Sequence, residues 1–214
     1  DFKSFANGEL YYGFHLMKDG WIYREWAPNA DALYLIGDFN YWDPHTHPMK
    51  KTENGNWEIF LKGVQALKHM SCVKVRVVAK GISRDRIPLY IKRTVQDTIT
   101  HDFVGQIWQP DHDFKWQDSE FHIKSEETLF IYEAHVGMAQ EKEGIGTFIE
   151  FTENILPRIK AAGYNTLQLM AIMQHPYYAS FGYQVSNFYA VSSWFGTPED
   201  LKKLINTAHQ MGIA

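Results

Sequence analysis

The feature that most constrains this chain is a change of period near residue 128. Before it, apolar residues recur in short runs broken by turn residues; after it they follow a strand–helix–strand–helix order. Two such patterns in one chain imply two folding units, and 214 residues leave room for them. Hydrophobic residues make up 45% of the chain, enough for buried cores and too many for disorder.

In the first half the predicted strands are 21–26, 32–36, 57–61, 73–78 and 89–92, several of which alternate apolar with polar residues. Lys18-Asp-Gly20, Pro28-Asn29, Gly37-Asp38, Glu53-Asn-Gly55 and Lys80-Gly81 separate them as turns. Short strands at even spacing without helices predict a β-sandwich of about 100 residues, here 1–110. Trp26, Trp42 and Trp57 fall at or beside turns, where an indole can serve as core or as an exposed stacking surface. Lys74, on an alternating strand, reads as a solvated face. His45 and His47 could suggest a metal, but no second pair with ligand spacing supports one.

Residues 111–127 are polar and charged with scattered rings, the pattern of a linker that hugs a surface. Residues 129–136 form a buried-type strand, and Thr147 with Glu150 makes a capping-box pair ahead of a helix. Pro157 must kink or restart that helix, because it lacks the N–H and crowds the preceding turn. A second strand follows at 166–172. Thr197-Pro-Glu-Asp200 then opens another helix, with threonine as N-cap and proline at the first helical position. Leu201, Leu204, Ile205 and Ala208 line one face of it up to Gly212, and Ile213-Ala214 could open a third strand. This order begins a parallel α/β fold, whose strands expect neighbours on both sides. A (β/α)8 barrel takes ~250 residues, so 128–214 reads as an incomplete one.

Between strand 166–172 and the last helix lies a long connection, residues 173–195, and long connections in compact folds are usually functional or disordered. Tyr177, Tyr178, Phe181, Tyr183, Phe188, Tyr189, Trp194 and Phe195 argue for order, and the segment reads as a wall of a substrate cleft. Aromatic residues form 15% of the chain, with seven tryptophans, a surplus that suits sugar binding through the apolar C–H faces of pyranose rings. The formal charge of −4, without a basic run, makes nucleic acid and anionic membrane poor partners. No stretch approaches the roughly 20 apolar residues that span a bilayer, and residues 1–4 show no signal-peptide pattern. The single cysteine, Cys72, excludes an internal disulfide and fits a reducing, cytoplasmic compartment.

Two sets of motifs carry a family resemblance. Glu25-Trp-Ala-Pro-Asn-Ala30, Leu35-Ile-Gly-Asp-Phe-Asn40 and Trp42 resemble the family-48 carbohydrate-binding module, which precedes the catalytic barrel of α-glucan enzymes. The resemblance implies glucan contacts from Trp26, Pro28, Trp42, Lys74 and the turn of Glu53, Asn54, Gly55 and Asn56. Tyr41 stands where many relatives carry a small or polar residue. In the second half, Tyr132-Glu-Ala-His-Val-Gly137, Gly163-Tyr-Asn165, Leu169-Met-Ala-Ile172, Tyr177-Tyr-Ala-Ser-Phe-Gly-Tyr-Gln184 and Phe195-Gly-Thr-Pro-Glu-Asp-Leu201 resemble the 1,4-α-glucan branching enzymes of the α-amylase superfamily. By that resemblance Tyr183 stacks on the sugar at the cleaved bond and His175 lies near the cleft. Relatives usually carry Glu where this chain has Gln174, and Arg where it has Trp194.

A retaining α-glucan transferase needs two carboxylates about 5–5.5 Å apart, placed in barrels at the C-terminal ends of strands. The first such end offers Glu133 and His135, with Glu141 and Glu143 beyond, and residues 173–195 hold no Asp or Glu. No convincing pair can be assembled, and the resemblance implies catalytic acids on later strands, past Ala214. The expected function is therefore part of a branching enzyme of glycogen or starch synthesis, a glycosyltransferase whose partner is an α-glucan. No cofactor or metal is implied. The alternatives are a non-catalytic glucan-binding protein and a debranching enzyme of the same superfamily.

Overall fold

Where β-branched and aromatic residues alternate between turns in the first half, strands form. They are β1 (Gly13–Met17), β2 (Gly20–Trp26), β3 (Ala32–Gly37), β4 (Lys50–Lys51), β5 (Asn56–Lys62), β6 (Cys72–Ala79), β7 (Ile82–Arg86), β8 (Arg93–Gln96) and β9 (Phe103–Gln106). The computed structural model describes residues 6–123, 126, 128–170 and 172–214. Residues 1–5, 124, 125 and 127, and Ala171 of the predicted second-half strand, lie outside the described residues. The chain divides into two units: the first holds the residues up to Pro110 together with Asn187–Ala190, the second Asp111–Ser186 and Val191–Ala214.

The first unit is a two-sheet β structure. One antiparallel sheet runs β1-β2-β5-β4; in the other, β8-β9-β6-β3 are neighbours and β7 pairs with β6. Alternation puts Trp21 and Tyr23 of β2, Leu33 and Leu35 of β3, and Val73 and Val75 of β6 into one buried cluster with Trp57. Each such side chain contributes about 1.5–3 kcal/mol on burial. Trp57 is core, and its Nε1 donates to the Ala27 carbonyl at 3.0 Å.

Three expectations need correction here. Residues 89–92 form no strand: Pro88 fixes its own backbone, the Ile91 N–H closes onto the Pro88 carbonyl at 3.2 Å, and extended chain resumes at Arg93. The two sheets also gain β1, β4, β7 and β9, of which β7 is exposed throughout and has no apolar face to betray it. Residues 173–195 are not one long loop. They contain β12 (Met173–Gln174), a 3-10 turn at Tyr178–Ser180 and β13 (Asn187–Val191). β13 is the hydrogen-bonded neighbour of β8, and Ala190 is buried in the first unit's core.

In the second unit, β10 (Ile131–His135) and β11 (Thr166–Met170) pair in parallel, from Ile131 opposite Thr166 to His135 opposite Met170. The crossover begins at the expected capping box: the Glu150 N–H donates to Thr147 Oγ1 at 3.1 Å and the Thr147 N–H to Glu150 Oε2 at 3.1 Å. Helix α1 runs from Phe148–Glu150 through a π-turn, Phe151–Ile155, to Leu156–Ala161. The π-turn is how the chain accommodates Pro157, which becomes an early residue of the renewed α segment. Helix α2 (Pro198–Gln210) starts at Thr197, whose hydroxyl accepts from the Asp200 N–H at 3.2 Å. Its Leu201 and Leu204 pack with Phe148, Phe151 and Phe195. Ile213 is fully buried, and Ala214 bonds Asn165 and Leu167 through its N–H (2.9 Å) and carbonyl (2.8 Å), so the chain runs beside β11, although residues 213–214 form no strand.

Residues 111–123 are tied into this unit: the Gln117 N–H donates to Asn206 Oδ1 at 2.7 Å, and His209 Nδ1 lies 2.6 Å from Asp118. The expectation that β10 is buried on both faces is not met, since Ile131, Tyr132 and Glu133 are exposed and β11 is its one neighbour among the described residues.

Candidate functional site

Trp26 ends β2 opposite Asn56 of β5, and its side chain is 56% exposed. The indole is held at its edge, where Nε1 donates to the Asn54 carbonyl at 3.0 Å. Asn54 sits at φ 58 and Gly55 at φ 78, backbone that favours Asn and Gly. A Cβ on Gly55 would fall 2.6 Å from that of Pro28, so glycine is what lets the turn lie against the proline. The Ala27 N–H donates to the Gly55 carbonyl at 2.9 Å, and the Tyr12 hydroxyl to Asn56 Oδ1 at 2.7 Å. Glu25 accepts from the Tyr23 hydroxyl (2.8 Å), the Leu89 N–H (3.0 Å) and the Trp26 N–H (3.1 Å); burial raises its pKa against those bonds. An immobilised, half-open indole flanked by amides is a surface on which a pyranose face can pack while its hydroxyls meet polar groups.

Of the residues that resemblance selected, the structure brings Trp26, Pro28 and the Glu53–Asn56 turn together. Lys74 belongs to the other sheet, and Trp42 to the turn that follows its strand β3. Trp42 follows β3 at φ 61, 36% exposed, with Nε1 donating to Asp38 Oδ1 at 3.1 Å; Lys74 is half-buried on β6 opposite Ile36. Tyr41 also has left-handed backbone, at φ 55, which explains why small or polar residues suit that position. His47 is engaged locally, its Nδ1 2.9 Å from Thr46 Oγ1, and His45 is exposed against Tyr34.

The second unit gathers a different cluster at the C-terminal end of β10. The His135 ring meets the rings of Phe195, Phe181 and Tyr178 edge-on at 5.5, 5.9 and 6.1 Å. Both of its nitrogens are buried without a hydrogen-bond partner, and burial, with His175 nearby, holds its pKa below the ordinary histidine value. His135 is therefore neutral at pH 7. Gly137 makes the cluster possible, since a Cβ there would come within 2.7 Å of the Tyr178 hydroxyl and 2.8 Å of Phe195.

His175 is fully buried; Nδ1 donates to the Met173 carbonyl at 2.9 Å and Nε2 has no partner. The two departures from the family pattern meet at its backbone: Trp194 Nε1 donates to the His175 carbonyl at 2.8 Å and Gln174 Nε2 at 3.4 Å, while Gln174 Oε1 accepts from the Ser193 N–H at 2.9 Å. Neutral donors thus form a network around that carbonyl without a charge pair. Tyr183 follows Gly182 (φ 80) and is 82% exposed. Glu133, Glu141 and Glu143 are all exposed. Sequence reading selected His175 and Tyr183 but not His135 with Tyr178, Phe181 and Phe195. The available signal was a histidine closing a parallel strand.

Residues 11–91 match carbohydrate-binding module 48, the isoamylase N-terminal domain, and residues 130–214 match the α-amylase catalytic domain. The two matches fall on either side of the change of period, so the chain is similar to a family-48 module followed by part of an α-amylase catalytic domain. Over 98% of its length it is 46% identical to the 1,4-α-glucan-branching enzyme of Dictyostelium discoideum, and over 99% it is 46% identical to that of Aspergillus oryzae. It covers 31% and 32% of those proteins, so it spans about a third of the curated relatives it matches. Among solved structures it resembles a pullulanase from Bacillus acidopullulyticus (TM-score 0.73, 21% identity, 95% of this chain and 28% of that one). It also resembles a mutant pullulanase from Paenibacillus barengoltzii complexed with maltotriose (TM-score 0.76, 19% identity, 94% and 36%). These two likenesses concern the fold. Within residues 11–91 the half-exposed Trp26 lies on the β2–β5 sheet; within residues 130–214 the His135 cluster closes the C-terminal end of β10.

Proposed function

We propose that this chain belongs to a 1,4-α-glucan branching enzyme, which cuts an α-1,4 link and rejoins the freed chain to a glucose 6-hydroxyl. The single observation that carries the reading is the 46% identity to branching enzymes sustained across module and catalytic-domain segment together. The geometry fits the role. Trp26, Pro28 and the Glu53–Asn56 turn hold an α-glucan on the module, with Trp42 and Lys74 as further contacts. Tyr183 offers its exposed ring to the sugar at the scissile bond, where an aromatic face suits developing positive charge. His135, kept neutral by burial against Phe195, Phe181 and Tyr178, offers a hydrogen-bonding nitrogen there without adding charge, and His175 is buried beside it.

The chemistry requires a nucleophilic carboxylate that displaces the glucan's O4 and an acid that protonates it. The same acid, now a base, takes the proton of the attacking 6-hydroxyl as the glucosyl–carboxylate bond breaks. Both carboxylates are assigned to residues outside these 214. The reaction needs no redox change, and we place it in a reducing cytoplasmic compartment, the setting the single cysteine favours.

The test is incubation of the full-length polypeptide with amylose, following iodine absorbance and reducing ends together. Falling absorbance at constant reducing ends is the expected result. Reducing ends that rise in step would mean hydrolysis and overturn the branching reading.

A further inference from the structure

Four tyrosines of the first unit form a ladder that ends on the glucan turn. Tyr189 of β13 stacks on Tyr90 at 4.2 Å and 22°, and Tyr90 stacks on Tyr12 at 5.3 Å and 19°. Tyr12 meets Tyr11 edge-on at 5.0 Å and donates its hydroxyl to Asn56 Oδ1 at 2.7 Å. Tyr189 beside it, with burial, pushes the Tyr90 hydroxyl's pKa up to about 12. Glycines clear the seat of Tyr90: a Cβ on Gly13 would lie 3.0 Å from that of Tyr90, and one on Gly8 would lie 2.6 Å from its hydroxyl oxygen. The strand that supplies Tyr189 is itself fixed, by pairing beside β8 and by burial of Asn187 and Ala190.

The ladder is not another sugar platform. Tyr90 is stacked against two rings already, and the Arg24 guanidinium sits 4.5 Å above Tyr11. Its free end is the Tyr12–Asn56 bond, which leads to the residue paired with Trp26. We propose that Tyr189 and Tyr90 are positioning residues of the Trp26 glucan surface, so that a strand from the catalytic-domain half of the sequence completes the module's binding site. The proposal rests on the reading that Trp26 and its turn bind α-glucan.

The test is carried out on the full-length polypeptide, with maltoheptaose affinity measured by calorimetry and amide hydrogen exchange followed at Gly55–Trp57. Losing one stacked ring should weaken affinity roughly fivefold, the scale of a single aromatic pair. Tyr189→Ala is expected to show that loss with faster exchange at the turn, and Tyr189→Phe, which keeps the ring, to restore most of both. Ile82→Ala, exposed on β7, should change neither. Tyr90→Phe, which removes only a hydroxyl, keeps the test open if Tyr189→Ala fails to fold, and it should weaken binding by a smaller factor. Wild-type affinity and exchange in Tyr189→Ala would overturn the proposal, as would an equal loss in Ile82→Ala. Trp26→Ala is the separate control on the underlying reading. If it leaves affinity intact, that reading fails, while the exchange measurement still decides whether the ladder positions the turn.

Discussion

The two units solve the problem of buried polar groups differently. In the first, indoles reach inward and their N–H groups are answered, Trp21 by the Val64 carbonyl at 2.9 Å and Trp57 by that of Ala27 at 3.0 Å. Among the described residues, the second leaves both nitrogens of His135, Nε2 of His175 and the Ser192 hydroxyl buried without partners, against the Thr94 hydroxyl in the first. It also exposes Leu129, Phe130, Ile131 and Tyr132 as one run along β10. Antiparallel sheets close a core between two faces and tolerate water outside, whereas parallel strands need cover on both sides. The orphan nitrogens and the exposed apolar run therefore fall in the unit built on parallel strands.

The largest effect expected from this contrast is on residues 128–214 produced alone. They should bind a hydrophobic dye and melt without cooperativity, and a sharp calorimetric transition would erase the contrast. Within the intact polypeptide, Phe148→Ala removes a fully buried ring packed 5.8 Å from Phe195, and denaturant titration should show a loss of about 3–5 kcal/mol. Trp26→Ala should behave oppositely, lowering glucan affinity about tenfold, or about 1.4 kcal/mol, while melting stays near wild type because the indole is half exposed.

The smallest effect is electrostatic. Lys142, Gln140 and Thr147 hold the Glu150 carboxyl down at about 2. A depressed carboxylate stabilises the fold fully above its unfolded value of about 4.3 and loses that contribution as pH falls toward 2. Thermal melts between those pH values should slope downward toward acid, and Glu150→Gln should flatten that slope.

Much of this was legible because single residues carry single mechanisms. Thr147 with Glu150 and Thr197 with Asp200 announced both helix starts through side chains that can reach orphan N–H groups. Pro157 announced a break, though a π-turn in place of a kink depends on the packing of the helix. Alternation marked β2, β3 and β6 but was silent on β7, which earns its place only by pairing with β6. β13 was hidden because its aromatic residues read equally well as a loop wall, and its partner β8 is remote in sequence. At the site, Trp26 and Trp57 look alike in sequence, yet one is half exposed and the other core, which strand register decides and local sequence does not. The His135 cluster joins side chains from β10 and from residues 178–195, a juxtaposition that no spacing rule encodes.

The most direct measurement on the central claim is the proton NMR spectrum of amylose after incubation with the full-length polypeptide. The account predicts a growing anomeric signal for α-1,6 linkages at constant total glucose. Amylose that keeps only α-1,4 signals, while Trp26-dependent binding persists, would contradict it and leave a glucan-binding protein without branching activity.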